Sequence, residues 1–223
     1  MKKVKKKTKI KFGKLFLFLI ILFLIGYLLF YLFNLPITNI YITGNDILSD
    51  EYIIRIAKIE KYPPTFSLST KNIKNLLVKD VMIKDASVKK KKLFQIYIDV
   101  VENKPLFYNE NNEKTVLSDS SEVTEQYNVP SLINYVPDSK YELFIKVMNE
   151  VDNSILEHIS EIKYDPNNVD DERFLLFMND GNYVYINLNK FKSINSYMDI
   201  IKKFTTEKGI LYLDSGEYFK VIN

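Results

Sequence analysis

Residues Leu15–Phe33 read LFLFLIILFLIGYLLFYLF. No charge interrupts these 19 residues, and no polar face forms when they are wound at 3.6 residues per turn. At 1.5 Å per residue such a helix reaches about 28 Å, close to the roughly 30 Å hydrocarbon core of a bilayer. Two other readings compete. The apolar stretch of a cleaved signal peptide is about 7–15 residues long and ends in small residues. This one is longer and runs into Phe33-Asn34-Leu35-Pro36-Ile37 with no Ala-x-Ala-like site. The core helix of a soluble domain would carry a polar face. The stretch therefore reads as an uncleaved membrane span from Leu15 to Phe33.

Its flanks give a direction. Residues 1–14 contain eight lysines (Lys2, Lys3, Lys5, Lys6, Lys7, Lys9, Lys11 and Lys14) and no acid, and the next lysine is Lys58. The positive-inside rule then places residues 1–14 in the cytoplasm and the rest of the chain beyond the span outside. Tyr27, Tyr31 and Phe33 fall near the outer interface, where aromatic rings are favoured. The same asymmetry reinterprets the overall charge. The 223-residue chain has 31 basic and 28 acidic residues, a formal +3, but without the eight N-terminal lysines 23 basic residues face 28 acidic ones, a net of −5. A basic tip, an apolar segment and a mildly acidic body argue against a nucleic-acid partner and for cytoplasmic-membrane lipid. Cysteine is absent and His158 is the lone histidine, so disulfide scaffolds, thiol nucleophiles, Cys-ligated zinc and His-based triads lack their parts. Only Arg55 and Arg173 are arginines. Lys, Asn, Ile, Tyr and Phe are abundant, as in proteins from A/T-rich genomes, so lysine and asparagine clusters carry less weight than usual.

Beyond the span the pattern predicts strand, helix, helix, strand, strand. Ile37, Ile40 and Ile42 lie in a β-rich stretch closed by the turn pair Gly44-Asn45. Ser49 or Asp50 can cap a helix carrying Ile53, Ile54, Ile56, Ala57 and Ile59, which Tyr62-Pro63-Pro64 stops. Ser69 or Thr70 caps a second with Ile73, Leu76 and Leu77 on one face. Ile83–Val88 and Leu93–Glu102 are strands around a lysine-rich turn, the latter apolar on both faces like a central strand. After Pro105 come short strands at Leu106–Tyr108, Thr115–Leu117 and Glu122–Gln126, then a helix over about Ser139–Val151. Strands follow at Ile159–Tyr164, Phe174–Met178 and Tyr183–Asn187, the last two joined by Asn179-Asp180-Gly181-Asn182. A second amphipathic helix is expected over Leu188–Thr205, then strands at Ile210–Leu213 and Glu217–Ile222. The organisation is a basic tail (residues 1–14), a span (15–33) and two α+β modules (36–104 and 105–223), with no internal repeat.

Catalytic constellations are scarce. Ser87-x-x-Lys90 and Ser160-x-x-Lys163 match the spacing of acyl-enzyme nucleophiles, but 14 serines and 29 lysines produce such matches by chance. Both lie in expected strands, where the lysine is not one helical turn from the serine, and Lys-Thr-Gly is absent. Asp165 and Asp170-Asp171-Glu172 around Asn167-Asn168 lack the spacing of a calcium loop and read as a solvated turn. Lys89-Lys90-Lys91-Lys92 is either a charged hairpin tip or a contact for anionic lipid or wall polymer. His158 reads as a helix-end residue. No Gly-rich phosphate loop is present. No enzyme, cofactor, metal or small-molecule substrate is expected.

In order, these pieces resemble the FtsQ/DivIB cell-division family. The opening of its POTRA domain is similar to Ile40-Tyr41-Ile42-Thr43-Gly44-Asn45 followed by Leu48-Ser49-x-Glu51-x-Ile53. Its close is similar to Ile83-x-x-Ala86-x-Val88 and to Ile96-Tyr97-Ile98-Asp99-Val100-Val101-Glu102-x-Lys104-Pro105. Downstream, Ser118-Asp119-Ser120-Ser121-Glu122-Val123, Val129-Pro130-Ser131-Leu132, Asp180-Gly181-x-x-Val184, Gly209-Ile210-Leu211-Tyr212-Leu213 and Tyr218-Phe219 fall where that family has related motifs. The chain departs from the pattern at Lys91-Lys92, where an aromatic-Pro pair is common, at Tyr212, where Asp is usual, and at Ser121, where a turn glycine stands.

The resemblance implies an α+β protein with one transmembrane helix, a β-α-α-β-β POTRA domain and a second, β-rich α+β domain. It implies a non-enzymatic scaffold of the bacterial divisome at the septum, binding bitopic FtsB/DivIC-like and FtsL-like partners and helping to coordinate septal peptidoglycan synthesis. A partner segment can add a strand to an open sheet edge. The last strand, Glu217-Tyr218-Phe219-Lys220-Val221-Ile222, is the first choice for that edge, with Tyr218 and Phe219 on opposite faces. Three alternatives stay open: a signal-anchored wall-modifying enzyme, a POTRA-bearing outer-membrane assembly protein, and an adaptor unrelated to division. The second would need a long barrel that about 120 residues with two helices do not supply.

Overall fold

The computed structural model describes residues 12–204 and 207–222. Lys2, Lys3, Lys5, Lys6, Lys7, Lys9 and Lys11 lie outside them. The expected span is a single helix, α1 (Phe12–Phe33), which starts three residues before Leu15, takes Lys14 into its first turn and buries no residue. It is long and apolar enough to cross a membrane. Asn34 ends it, its side-chain amide donating to Phe30 O at 2.7 Å. The chain parts into two compact units between Glu102 and Asn103, two residues before the expected boundary.

The first unit runs β1 (Asn39–Thr43), α2 (Asp50–Ile56), a 3-10 turn at Thr65–Ser67, α3 (Thr70–Leu77), β2 (Ile83–Lys91) and β3 (Gln95–Glu102). This is the β-α-α-β-β order expected. The sheet order is β1-β3-β2, with β1 parallel and β2 antiparallel to the central β3. Local chemistry sets the helix starts. The hydroxyls of Ser49 and Ser69 accept from Tyr52 N at 3.2 Å and Asn72 N at 3.3 Å. Ile53, Ala57, Ile59, Ile73 and Leu77 then pack on Ala86, Ile96, Ile98 and Val100.

Two motif residues of this unit have structural roles. Gly44 turns at φ +80°, and a Cβ there would lie 2.1 Å from Val100 O. The Glu102 carboxylate accepts from the backbone N–H of Asp46, Ile47 and Leu48 at 3.0, 2.8 and 2.7 Å, pinning the loop that leads into α2 to the end of β3.

Two expectations change here. β3 is central, but only Ile96, Ile98 and Val100 are buried, while Tyr97, Asp99 and Val101 face outward, because the helices cover one face of the sheet. The lysine run is mostly strand rather than turn. β2 continues through Lys91, and the reversal falls on Lys92 and Leu93 at φ 47° and 60°. Long aliphatic stems let lysines sit on an edge strand with their charges in water.

The second unit is one nine-stranded sheet, ordered β12-β11-β10-β9-β8-β7-β4-β5-β6. Its elements are β4 (Pro105–Asn109), β5 (Lys114–Leu117), β6 (Glu122–Val123), β7 (Ser131–Leu132), α4 (Asp138–Met148), α5 (Asn153–Leu156), β8 (Ile159–Tyr164), β9 (Arg173–Met178), β10 (Tyr183–Asn187), α6 (Tyr197–Ile201), β11 (Gly209–Tyr212) and β12 (Tyr218–Val221). The two-residue β7 gives no sequence signal, yet it joins the halves of the sheet by pairing parallel to both β4 and β8. Its largely aliphatic core holds an aromatic cluster: Phe144 lies 5.0 Å from Phe107, 4.8 Å from Phe174 and 5.9 Å from Phe191, centroid to centroid.

The amphipathic helix expected over Leu188–Thr205 is instead a 3-10 stretch, Leu188–Ser196, followed by the short α6. Its buried residues are Leu188, Phe191, Ile194 and Tyr197, one every three. That is the period of a 3-10 helix, and Asn and Ser, which bond competitively to nearby backbone, weaken the α alternative. Thr205 is outside the described residues.

Candidate partner-binding edge

β12 ends the large sheet, pairing antiparallel with β11 from Gly209↔Val221 to Tyr212↔Tyr218. It spans Tyr218–Val221, so Glu217 and Ile222 of the expected strand flank it. The hairpin turn is local: the Asp214 carboxylate accepts from Ser215 N at 2.7 Å and from its hydroxyl at 3.1 Å. Ile222 N donates to Lys208 O at 2.9 Å. Hydrogen-bonded pairs alternate in an antiparallel ladder, so Tyr218 and Lys220 also bond inward to β11. The N–H groups of Phe219 and Val221 therefore point off the sheet.

The two ring residues divide as their alternation requires. Phe219 packs against the core and stacks on Phe204 at 4.4 Å. Tyr218 is half exposed on the outer face and stacks on Tyr212 at 4.6 Å and 11°. Tyr212 stacks on Tyr185 at 5.5 Å, and the Arg173 guanidinium lies 4.1 Å over Tyr185. A ladder thus runs across four strands from β9 to the edge. Its cation is held in place: Arg173 donates to Asp165 O at 2.9 Å and to Asp165 Oδ2 at 2.8 Å. Burial pushes the Asp165 carboxyl up, but the hydrogen bonds and charges of Lys163 and Arg173 outweigh this and hold it below the usual range.

A second set of contacts positions the hairpin. The Tyr197 hydroxyl donates to the Asp180 carboxylate at 2.8 Å and accepts from Asn182 Nδ2 at 3.1 Å, while Asn182 Oδ1 accepts from Gly209 N at 2.9 Å. Burial and the Asp180 charge raise the Tyr197 hydroxyl well above the usual phenol range, so it stays a donor. Gly209 lets the strands close: a Cβ there would meet Lys220 O at 2.3 Å. Asn182 and Gly209 were legible only as turn and strand residues; nothing in their spacing joined residues 27 apart.

The other candidates are spent elsewhere. Lys90 donates to the carbonyls of Thr65 and Leu68, both at 2.6 Å. Ser160 donates to Phe177 O at 2.9 Å, and Lys163 pairs with Asp165 at 3.1 Å. Asp170 accepts from Asn187, Asp171 pairs with Lys140 and Glu172 accepts from Asn189, so each acid of that run has its own partner. His158 contacts Ser154 O at 2.6 Å through Nδ1, at the end of α5. An open pocket lies beside Arg173, Tyr212, Asp214 and Ser215, but its cation is the one Asp165 holds. Among the described residues no group of three or more His, Asp or Glu is placed to hold a metal ion. At the sheet's opposite end β6 is only two residues long, which is how a sheet guards an edge.

Residues 35–103 match the family model of the POTRA domain, FtsQ-type. The chain is 30% identical over 230 residues to cell division protein DivIB of Bacillus subtilis strain 168, covering 98% of this chain and 88% of that one. It is 25% identical over 231 residues to cell division protein DivIB of Listeria monocytogenes, covering 99% and 85%. The solved extracytoplasmic domain of DivIB from Geobacillus stearothermophilus is 18% identical, with a TM-score of 0.38 over 47% of this chain and 95% of that one. By its match to the Bacillus subtilis protein along nearly the whole of both chains, this chain belongs to the DivIB family of cell division proteins.

Proposed function

We propose that this chain is a septal scaffold without catalytic chemistry of its own. Residues 1–14 stay in the cytoplasm, α1 crosses the membrane, and β12 takes a strand from bitopic partners of the FtsB/DivIC and FtsL type, through which the protein helps coordinate septal peptidoglycan synthesis. The lysine asymmetry about the span supports the orientation. The observation that carries the docking site is β12 itself, the terminal strand of its sheet, with outward N–H groups at Phe219 and Val221 and a half-exposed tyrosine on its face. Main-chain bonds would supply affinity, and Tyr218 with its ladder would supply specificity.

Proline substitution tests it by removing an outward donor. Phe219→Pro also disturbs packing on Phe204, so Val221→Pro, at a more exposed position, is the cleaner variant. Loss of one edge hydrogen bond and of strand continuity should lower partner co-purification about tenfold or more, since roughly 1.4 kcal/mol is a factor of ten. A fluorescent fusion of the wild type should form mid-cell bands. Undiminished capture by a folded V221P protein, or uniform membrane label, would overturn the proposal.

A further inference from the structure

We propose that the tip of the β2–β3 hairpin and the 3-10 turn at Thr65–Ser67 form a lipid-binding face that seats the first unit on the anionic leaflet from which α1 emerges. The proposal rests on α1 crossing the membrane. The residues just after the span are tied to this face. The Phe33 ring lies 4.8 Å from Phe66, and Phe66 lies 6.2 Å from Phe94. Leu35 O accepts from Thr65 N at 3.2 Å, Ile37 N donates to Pro63 O at 3.2 Å, and Thr38 N donates to Phe94 O at 2.8 Å. These bonds hold the turn and the foot of the hairpin within a few residues of the membrane exit, at headgroup depth.

What the face presents is unlike a solvated surface. Tyr62, Phe66 and Leu93 are 46%, 45% and 68% exposed. Leu93 stands at a hairpin tip in the left-handed region, φ 60°, beside Lys92 at φ 47°. Such turns favour Asn and Gly, and a branched apolar side chain is strained there. Strain of this kind persists where the surroundings or a function hold it.

The lysines complete the surface. Lys90 clasps the hairpin to the Phe66 turn through the Thr65 and Leu68 carbonyls, and Phe94, next to Leu93, meets the Phe66 ring. Lys89 and Lys92 are exposed, and neither is ion-paired with any described residue. Aromatic and aliphatic groups at the acyl boundary with ammonium groups at the phosphates is the chemistry of an interfacial anchor. A soluble wall polymer would satisfy the lysines but leave Phe66 and Leu93 in water.

The chain has no tryptophan, so one introduced ring reports alone. Full-length L93W, Y27W and V169W proteins are reconstituted in vesicles of phosphatidylglycerol and phosphatidylcholine containing tail-brominated lipid. Y27W reports the span, and V169W, 98% exposed in the native protein, reports the ring's own membrane preference. L93W emission should shift to the blue and fall about twofold, and the effect should weaken in pure phosphatidylcholine, at high salt and in the K89E/K92E background. Quenching of L93W no greater than that of V169W, with Y27W quenched, rejects the face and leaves the span intact. An unquenched Y27W rejects the membrane reading beneath it. A change in L93W emission on adding soluble poly(glycerol phosphate), with none from bilayers, overturns the proposal in favour of a wall polymer.

Discussion

Both sheets of this protein cover one face with helices and line the other with stacked tyrosines ending at a cation, but the two ladders are built differently. In the first unit Tyr41 on β1 stacks on Tyr97 of β3 at 4.6 Å, and Lys91 of β2 lies 4.3 Å over Tyr97. In the second, Arg173, Tyr185, Tyr212 and Tyr218 span four strands, and the cation is fixed by a carboxylate. The first ladder runs between two edges, from Tyr41 on the uncharged β1 to a cation on β2, which is guarded by Lys84, Lys89, Lys90 and Lys91, whereas the second runs from a cation inside its sheet to a four-residue edge carrying Lys220 alone. Length does not make an edge available; β2 is the longest strand and the best defended. On the proposed reading, a rigid, half-exposed aromatic surface leading to undefended N–H groups would favour docking, because little side-chain entropy would remain to be lost when a partner settles on it.

The sharpest way to break this comparison is to remove the fixed cation. Arg173→Ala leaves Asp165 without its guanidinium, frees the Asp165 carbonyl and uncovers Tyr185. With side chains 19% and 24% exposed, this pair is not screened like a surface one. A loss of about 2–3 kcal/mol follows from the charged hydrogen bonds and the cation–π contact. The urea midpoint of the second unit's transition measures it. If R173A unfolds at the wild-type midpoint, the ladder has no rigid end and the contrast fails.

A smaller effect is expected at the buried pin beneath the β11–β12 hairpin. Tyr197→Phe removes the donor to Asp180 and the acceptor for Asn182, costing about 1–2 kcal/mol. Burial raises the Asp180 carboxyl, but hydrogen bonds from Tyr197 and Asn182 outweigh this and lower it from its ordinary value. A lowered carboxyl contributes stability above its unfolded value, about 3.9, and loses it as pH falls through the folded one. The gap between wild type and Y197F should therefore be full at neutral pH and close progressively below about pH 4. A gap that does not change with pH would show that the hydroxyl acts through packing alone. In the first unit the pin is Glu102, which holds the loop before α2 by three backbone donors in a more exposed setting.

Much of this was legible from residue patterns. The span, the helix starts at Ser49 or Asp50 and at Ser69 or Thr70, the β-α-α-β-β order and the strands at Ile159–Tyr164 and Tyr183–Asn187 follow from apolar period and turn chemistry, which are local, and the structure caps with the serines. The strand Tyr218–Val221 was readable, but its place at the end of the sheet depends on pairing. What escaped was non-local or ambiguous in period. β7 is two residues whose strand character comes from two neighbours far away in sequence. Leu188 to Tyr197 can be wound as an amphipathic α-helix, but its buried residues repeat every three with Asn and Ser among them, and the chain takes the 3-10 form. The tyrosine ladder joins residues from four strands whose register no single segment encodes. Asn182 looked like a hairpin residue, and its bond to Gly209 needs the fold.

The smallest effect is predicted where the ladders look most alike. Lys91 sits over a tyrosine much as Arg173 does, at 4.3 Å against 4.1 Å. Distance alone would give the two cations equal weight. Lys91, however, is an exposed residue of an edge strand, its ammonium is strongly hydrated, and no described carboxylate fixes it. Exposed cation–π contacts contribute about 0.5–1 kcal/mol, and the side-chain entropy of holding a lysine over the ring offsets part of it. Lys91→Ala should therefore shift the first unit's stability by no more than about 0.5 kcal/mol, within the ordinary range of surface substitutions. The urea midpoint of that unit's transition checks it. A K91A loss as large as that of R173A would mean that stacking geometry, not burial and the paired carboxylate, sets the strength of these ladders.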